Sequence, residues 1–165
     1  MHAPAKTRTH PIDRARLMQA NINPVTGLAT DYLNHFNEAV MLLELMADCP
    51  DCRDDFLAWQ PMTYREHFAA SHLKDRALAV EAYELADPNT RRCLDTLTDT
   101  MTAVLQMVQG TLRADLKPED AARLAVDSVA WLKPLVAQAG AVINGETSAD
   151  REQTPQLAVD HLFKR

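Results

Sequence analysis

The chain has 165 residues, of which 47% are apolar and 24% charged, so its composition is that of one globular domain with a buried core. Its net charge of −6 disfavours nucleic acid and anionic membrane as partners, and its 4 glycines and 5% aromatic residues favour helix over sheet. The longest apolar run, Ala39 to Leu43, is far too short for a membrane span, and no apolar segment follows the N-terminal basic residues as a secretory signal requires. We therefore expect a cytoplasmic protein that binds neither membrane nor nucleic acid.

Residues 1–25 differ in charge from the rest of the chain. They hold four basic residues and one acidic residue, whereas the remainder holds 13 basic and 22 acidic residues. Their prolines predict a mostly irregular basic N-terminal arm, with one or two helical turns at "DRARLMQA". The arm has no aromatic side chain to stack on bases. It is therefore expected to be flexible or docked on the chain's own surface, and not to bind nucleic acid.

Apolar residues then recur at helical spacing and predict a first long helix from Leu28 to Ala47. Its stripe contains Ala29, Tyr32, Leu33, Phe36, Ala39, Val40, Leu43 and Met46. The connection that follows includes "DDFLAWQP", which predicts a short helix. We expect the Phe56, Leu57 and Trp59 side chains of that segment to cover one end of a helical bundle.

Thr63 and Glu66 mark the start of a second long helix. The Thr63 side chain can accept from the backbone N–H of Glu66, and the Glu66 side chain can accept from the backbone N–H of Thr63. The pattern through "AASHLKDRALAVEAYELA" predicts one continuous helix up to Ala86. Asp87 and Pro88 suit the N-cap and first position of a third helix. That helix has the clearest apolar stripe: Leu94, Leu97, Met101, Leu105, Val108 and Leu112.

Pro118 opens a fourth helix in the same way, and Asn144-Gly145 suits its C-terminal end. Pro134 lies inside this helix and is expected to kink it. The last residues, "TPQLAVDHLFKR", predict a short helix that can dock through Leu157, Leu162 and Phe163.

Together these elements predict an all-α fold, an up-and-down four-helix bundle with short accessory helices, since tight turns between long helices favour antiparallel neighbours. The bundle is expected over residues 26–145, with a C-terminal tail and its short helix over residues 146–165.

Cys49 and Cys52, in "DCPDC", raise the question of a redox or metal-binding pair. A redox Cys-x-x-Cys opens a helix, whose N-terminus lowers the pKa of the first thiol, whereas this pair is expected just past the first long helix, where Pro50 ends it. Neighbouring aspartates oppose thiolate formation, and zinc needs two further ligands. The only other cysteine, Cys93, belongs to another helix, and an odd number argues against a disulfide framework. We predict a structural pair that does no chemistry.

Histidines and carboxylates on the first two long helices form a candidate metal or small-molecule site. Its members are His35, Glu38, Glu66, His67 and His72. His35 and Glu38 share a helix face because they are three residues apart. However, the chain has no Glu-x-x-His pair of the kind that di-iron bundles use, and no cofactor is identified. Alternatively, His67 and His72 are partly exposed surface residues, and His35 is a hydrogen-bonded core or interface residue.

The first long helix carries more apolar surface than one core-facing stripe. Met41 and Leu45 lie on the line of Asn34 and Glu38, outside that stripe. The N-terminal arm, the "DDFLAW" segment or another subunit must cover this surface. A symmetric dimer is the commonest way for identical chains to bury such a patch. We therefore expect a homodimer with Tyr32, Met41 and Leu45 in its interface.

Two functions follow from these patterns. The first is a non-catalytic helical-bundle protein that acts by associating with itself or with a protein partner. The alternative is a bundle with a metal or small-molecule site at the histidines and carboxylates. No serine lies in a Gly-x-Ser-x-Gly turn and no glycine-rich loop is present, so the sequence does not decide whether the protein is an enzyme.

Overall fold

The computed structural model describes residues 10–146, and 72% of these residues are helical, with no strand among them. The helices of this part are α1 (Arg14–Gln19), α2 (Leu33–Leu45), α3 (Pro50–Ala58), α4 (Tyr64–Ala70), α5 (Arg76–Glu84), α6 (Pro88–Arg113) and α7 (Pro118–Ile143), and a 3₁₀ turn, Thr30–Tyr32, leads into α2. Within residues 10–146, no helix is both long and apolar enough to cross a membrane. The predicted all-α class is confirmed, and the up-and-down order of a four-helix bundle stays a prediction.

The two longest helices begin and end where their sequence signals place them. The Asp87 carboxylate accepts hydrogen bonds from the backbone N–H groups of Asn89 and Thr90, and proline occupies the first turn of both α6 and α7. α7 continues through Pro134 to Ile143 without a break. α6 packs along α7, and α7 packs against α2, so these three helices form the centre of the fold.

The first predicted long helix is shorter than expected, because side chains bond to the backbone just before it. The N–H of Leu28 donates to the Thr26 hydroxyl at 3.3 Å, and the N–H of Ala29 donates to the Tyr64 hydroxyl at 2.9 Å. Ala29 is extended, with φ −114° and ψ 130°, so regular α-helix begins only at Leu33. Side chains that bond the backbone in this way compete with helix formation.

The second predicted helix is not continuous, since residues 71–75 separate α4 from α5. The capping box of Thr63 and Glu66 is present as predicted and starts α4. Ser71 ends that helix: it is extended, its hydroxyl donates to the Phe68 oxygen at 2.9 Å, and it accepts from the N–H of Leu73 at 3.4 Å. Asp75 then occupies the N-cap position of α5. Serine bonds of this kind satisfy backbone groups that a continued helix would have used.

The described part of the N-terminal arm packs on the rest of the chain. α1 buries Leu17 completely, and Ile22 is 2% exposed. The His10 Nε2 lies 2.8 Å from the Ala82 oxygen in α5. Residues 1–9 and the predicted C-terminal helix lie outside the described residues.

The segment predicted to cover one end of the bundle forms the end of α3 and the start of the connection that follows it, and α3 packs between α2 and α6. Phe56 is fully buried and Trp59 is 6% exposed. The Gln109 side-chain amide donates to the main-chain oxygens of both residues, at 2.9 and 2.8 Å. The Arg53 guanidinium also donates, at 2.6 Å, to the main-chain oxygen of Leu112 in α6. The Phe56 and Trp59 side chains are therefore part of the chain's own core.

Candidate functional site

His35, in the first turn of α2, is held by two groups from the α3–α4 connection. Its Nε2 lies 2.8 Å from the main-chain oxygen of Gln60, and its ring stacks on Trp59 with 4.6 Å between centroids. Because a carbonyl oxygen only accepts, the Nε2 of His35 donates and carries the proton. The neutral ring therefore has a lone pair at Nδ1.

His67, in α4, is held by a carboxylate from a different part of the chain. Its Nε2 lies 3.1 Å from Oδ2 of Asp31 in the 3₁₀ turn. The other carboxylate oxygen of Asp31 accepts from the Asn34 amide at 3.1 Å, which fixes the orientation of the carboxylate. His67 therefore also donates through Nε2.

The two imidazole rings lie 6.2 Å apart, centroid to centroid, and line one cavity of about 260 Å³. We call it the paired-histidine cavity. Its lining consists of Asn34, His35, Glu38, Met62, His67, Ala70 and Ser71. Among residues 10–146, no hydrogen bond to the Nδ1 of His35 or of His67 is present. Each ring is thus anchored through Nε2, and its Nδ1 has no hydrogen bond within the described residues.

The surroundings of His35 favour its uncharged form. Burial lowers the pKa of His35 below its usual 6.5, and the neighbouring imidazole of His67 lowers it further. The bond to the Gln60 oxygen and the carboxylate of Glu38 act in the opposite direction but do not cancel the effect. His35 is therefore neutral near pH 7 and presents Nδ1 as an acceptor.

The structure brings together three of the five residues predicted as a metal or small-molecule site. His35, Glu38 and His67 line the same cavity, whereas Glu66 accepts from the N–H of Thr63 at 2.8 Å and His72 is exposed between α4 and α5. Within the described part of the chain, no group of three or more His, Cys, Asp or Glu side chains is arranged to hold a metal ion.

A larger polar cleft of about 570 Å³ lies on the other side of Met62, which lines both cavities. The Tyr83 hydroxyl in this cleft donates to the Asp95 carboxylate at 2.9 and 3.1 Å, and burial together with that carboxylate raises the pKa of Tyr83 to about 12. Arg65 pairs with Glu84 at 3.0 Å. These polar groups of the cleft are already bonded to one another and are therefore less available to a ligand. The paired-histidine cavity is the better candidate site for this reason.

Asp31, Trp59 and Gln60 support the site but were not predicted from the sequence as part of it. Asp31 lies four residues before His35, a spacing that would have suggested a shared helix face. Its actual partner is His67, 36 residues away. The Gln60 contribution comes from its backbone, which no side-chain pattern reveals.

The three predicted interface residues lie in different surroundings. Tyr32 is 3% exposed, and its hydroxyl donates to the Met62 oxygen at 2.7 Å, so it is buried within the chain. Met41 and Leu45 are 48% and 45% exposed on the outer face of α2.

Three comparisons bear on the identity of the chain. No family model matches it, and neither does any curated protein or solved structure. Its function therefore has to be inferred from the chemistry of its own site.

Proposed function

We propose that the protein binds a small polar molecule in the paired-histidine cavity. The observation that carries the proposal is the matched anchoring of two imidazoles beside one cavity. His35 and His67 each donate through Nε2 to a fixed acceptor, Gln60 and Asp31 respectively, and each keeps Nδ1. Rings held in this way lose little side-chain entropy when a ligand binds.

The lining indicates the class of ligand. The imidazole lone pair of His35 and the carboxylate of Glu38 are acceptors, so the ligand is expected to present N–H or O–H donors, as an amine or a polyol does. The Asn34 side chain already donates to Asp31. The cavity volume of about 260 Å³ lies below the range of about 300–1,000 Å³ usual for drug-sized ligands, so a compact molecule fits best.

Binding, and not covalent catalysis, is what these side chains support. Ser71 is the only hydroxyl-bearing residue in the lining, and its Oγ donates to the main-chain oxygen of Phe68 at 2.9 Å. A serine nucleophile instead needs its hydroxyl bonded to a general base. The Asp31–His67 pair therefore serves to orient an acceptor for a ligand.

Thermal unfolding with a panel of small amines and polyols tests this proposal. We expect at least one compound to raise the Tm of the native chain and of His72→Gln, whose residue lies outside the cavity, but not of His67→Gln. The same compound should perturb the ¹⁵N chemical shifts of the His35 and His67 rings. A panel without any stabilising compound would contradict the proposal, as would a compound that stabilises all three proteins equally.

Metal analysis of protein purified without an affinity tag separates the metal version of this site from the small-molecule version. We expect less than one metal ion per chain, because His35, His67 and Glu38 are not arranged so that all three could hold one ion. If the protein instead carries one metal ion per chain and His67→Gln removes that ion, the ligand of the cavity is a metal ion and not a small molecule.

Self-association through α2 is a second candidate function, favoured by a separate observation. Met41 and Leu45 lie one helical turn apart and keep nearly half of their surface exposed. We propose that a second copy of the chain covers this face. The alternative is that a different protein binds the face that carries Met41 and Leu45.

A further inference from the structure

Cys49 and Cys52 lie past the end of α2, as expected, and they also open the next helix, which was not expected. Cys49 is the N-cap residue of α3, and Pro50 occupies the first helical position. No side chain caps this helix end in the described structure. Proline is well suited to the first turn of a helix, so its presence here starts α3 as well as separating it from α2.

The two cysteines are close enough to form a disulfide. The N–H of Cys52 donates to the main-chain oxygen of Cys49 at 3.1 Å and closes a turn. The Cα atoms at the two ends of such a turn lie within about 7 Å, and disulfides span about 4.4–6.8 Å. Both residues are free thiols in this structure.

The pair is asymmetric in exposure, as expected of an attacking and a resolving thiol. Cys49 is half-buried, whereas Cys52 is 8% exposed and belongs to the core. The adjacent Cys49 side chain and burial raise the pKa of Cys52 to about 11, with smaller contributions from Asp55 and Asp51. Cys49, the more exposed thiol at the start of α3, is therefore the one placed to meet an incoming disulfide.

We propose that Cys49 and Cys52 form a thiol–disulfide exchange site that accepts low-molecular-weight disulfides. The Cys49 thiolate attacks one sulfur of the incoming disulfide, forms a mixed disulfide and expels one thiolate. Cys52 then loses its proton and attacks the Cys49 sulfur, which closes the protein disulfide and expels the second thiolate. Two protein thiols are oxidised, one disulfide is reduced to two thiols, and the two released protons protonate the departing thiolates.

Cys93 provides an internal control for this reaction. It is exposed on α6 and has no neighbouring cysteine on that helix. It is therefore expected to stop at the mixed disulfide, because no second thiol displaces the bound molecule.

Titration of the folded, full-length chain with oxidised and reduced glutathione tests the proposal. After acid quenching, alkylation and peptide mass mapping, we expect a Cys49–Cys52 disulfide and loss of both thiols to alkylation. In Cys52→Ser, glutathione should remain on Cys49, since the resolving thiol is gone. In Cys49→Ser, modification of Cys52 should be slower, because that thiol is buried.

The double variant Cys49→Ser/Cys52→Ser should keep the native far-ultraviolet dichroism spectrum, so that its failure to react cannot be attributed to unfolding. The titration of the native chain is then repeated in urea. This comparison shows whether the folded turn favours the Cys49–Cys52 disulfide over mixed disulfides with glutathione. Glutathione accumulating on Cys49 of the native chain to the same extent as in Cys52→Ser would overturn the proposal. So would equal disulfide formation in the folded chain and in urea.

Discussion

The Trp59 indole lies against the His35 imidazole and also bonds its backbone. The ring centroids are 4.6 Å apart, the planes differ by 26°, and the indole N–H donates to the main-chain oxygen of His35 at 3.0 Å. This pair joins the end of α3 to α2 at the wall of the paired-histidine cavity. The geometry of the cavity therefore depends on the placement of α3.

Trp59→Phe tests that dependence. The substitution keeps an aromatic ring but removes the indole N–H and leaves space in the core, so we expect it to lower the free energy of unfolding by about 1–3 kcal/mol. Urea denaturation followed by circular dichroism measures the change. Trp131→Phe is the matched control, because Trp131 is 47% exposed and surface substitutions usually change stability by less than about 0.5 kcal/mol. Equal losses in both variants would contradict a special role for Trp59.

Gln109 holds the same segment from the side of α6. Its side chain is 5% exposed and donates to the main-chain oxygens of Phe56 and Trp59. Gln109→Leu leaves both oxygens without this donor, and we expect a loss of about 1–3 kcal/mol in the free energy of unfolding. Gln106→Leu provides the control on the exposed side of the same helix. If Gln106→Leu lowers the free energy of unfolding as much as Gln109→Leu does, the two hydrogen bonds of Gln109 are not the cause of the loss.

The lowered pKa of His35 predicts how stability depends on pH. Because the folded-state pKa is below 6.5, the unfolded chain binds more protons in the interval between the two values. The stabilisation is complete above pH 6.5 and is lost progressively as the pH falls towards the folded-state pKa. We therefore expect urea denaturation to show a loss of stability as the pH is lowered below about 6.5.

Two variants assign this pH dependence to His35. His35→Gln can still donate an N–H to the Gln60 oxygen but does not titrate, so it should lose less stability over the same interval than the native chain. His72→Gln should follow the native chain, since His72 is exposed. Identical pH dependence in His35→Gln and the native chain would show that His35 does not contribute.

The sequence predicts the elements whose signals are local and misses those that depend on distant partners. The Asp87-Pro88 start of α6 and the Pro118 start of α7 are read correctly, because capping chemistry lies within one turn of the helix end. The break at Ser71 is missed, because its neighbours have helical spacing and only the hydroxyl geometry ends the helix.

In the candidate site, too, the sequence predicts what depends on neighbouring residues and misses what depends on distant ones. His35 and Glu38 are identified because they share a helix face, but the partnership of His67 with Asp31 joins residues 36 positions apart. Pro50 is misread for a different reason: proline both prevents a helix from continuing and suits the first position of the next one. The sequence alone does not distinguish these two roles, and the helix-opening position of Cys49 follows from the second.

The exposed face of α2 leads to the last prediction, which concerns association. Leu45 is 45% exposed in the single chain, so Leu45→Asp should not unfold the protein, whereas a dimer that buries this position would have to bury a charge. We expect light scattering of the native chain to give twice the chain mass of 18.4 kDa at micromolar concentration. In Leu45→Asp the dissociation constant should rise at least about tenfold, equivalent to about 1.4 kcal/mol.

Val126→Asp is the control for this measurement, because Val126 is 70% exposed on α7 and lies outside the proposed interface. It should leave the dimer intact, while Leu45→Asp dissociates it with an unchanged dichroism spectrum. A single-chain mass for the native protein would rule out the homodimer, and Met41 and Leu45 would then require a different protein as their cover. Dissociation by Val126→Asp alone would place the interface on α7, away from the outer face of α2.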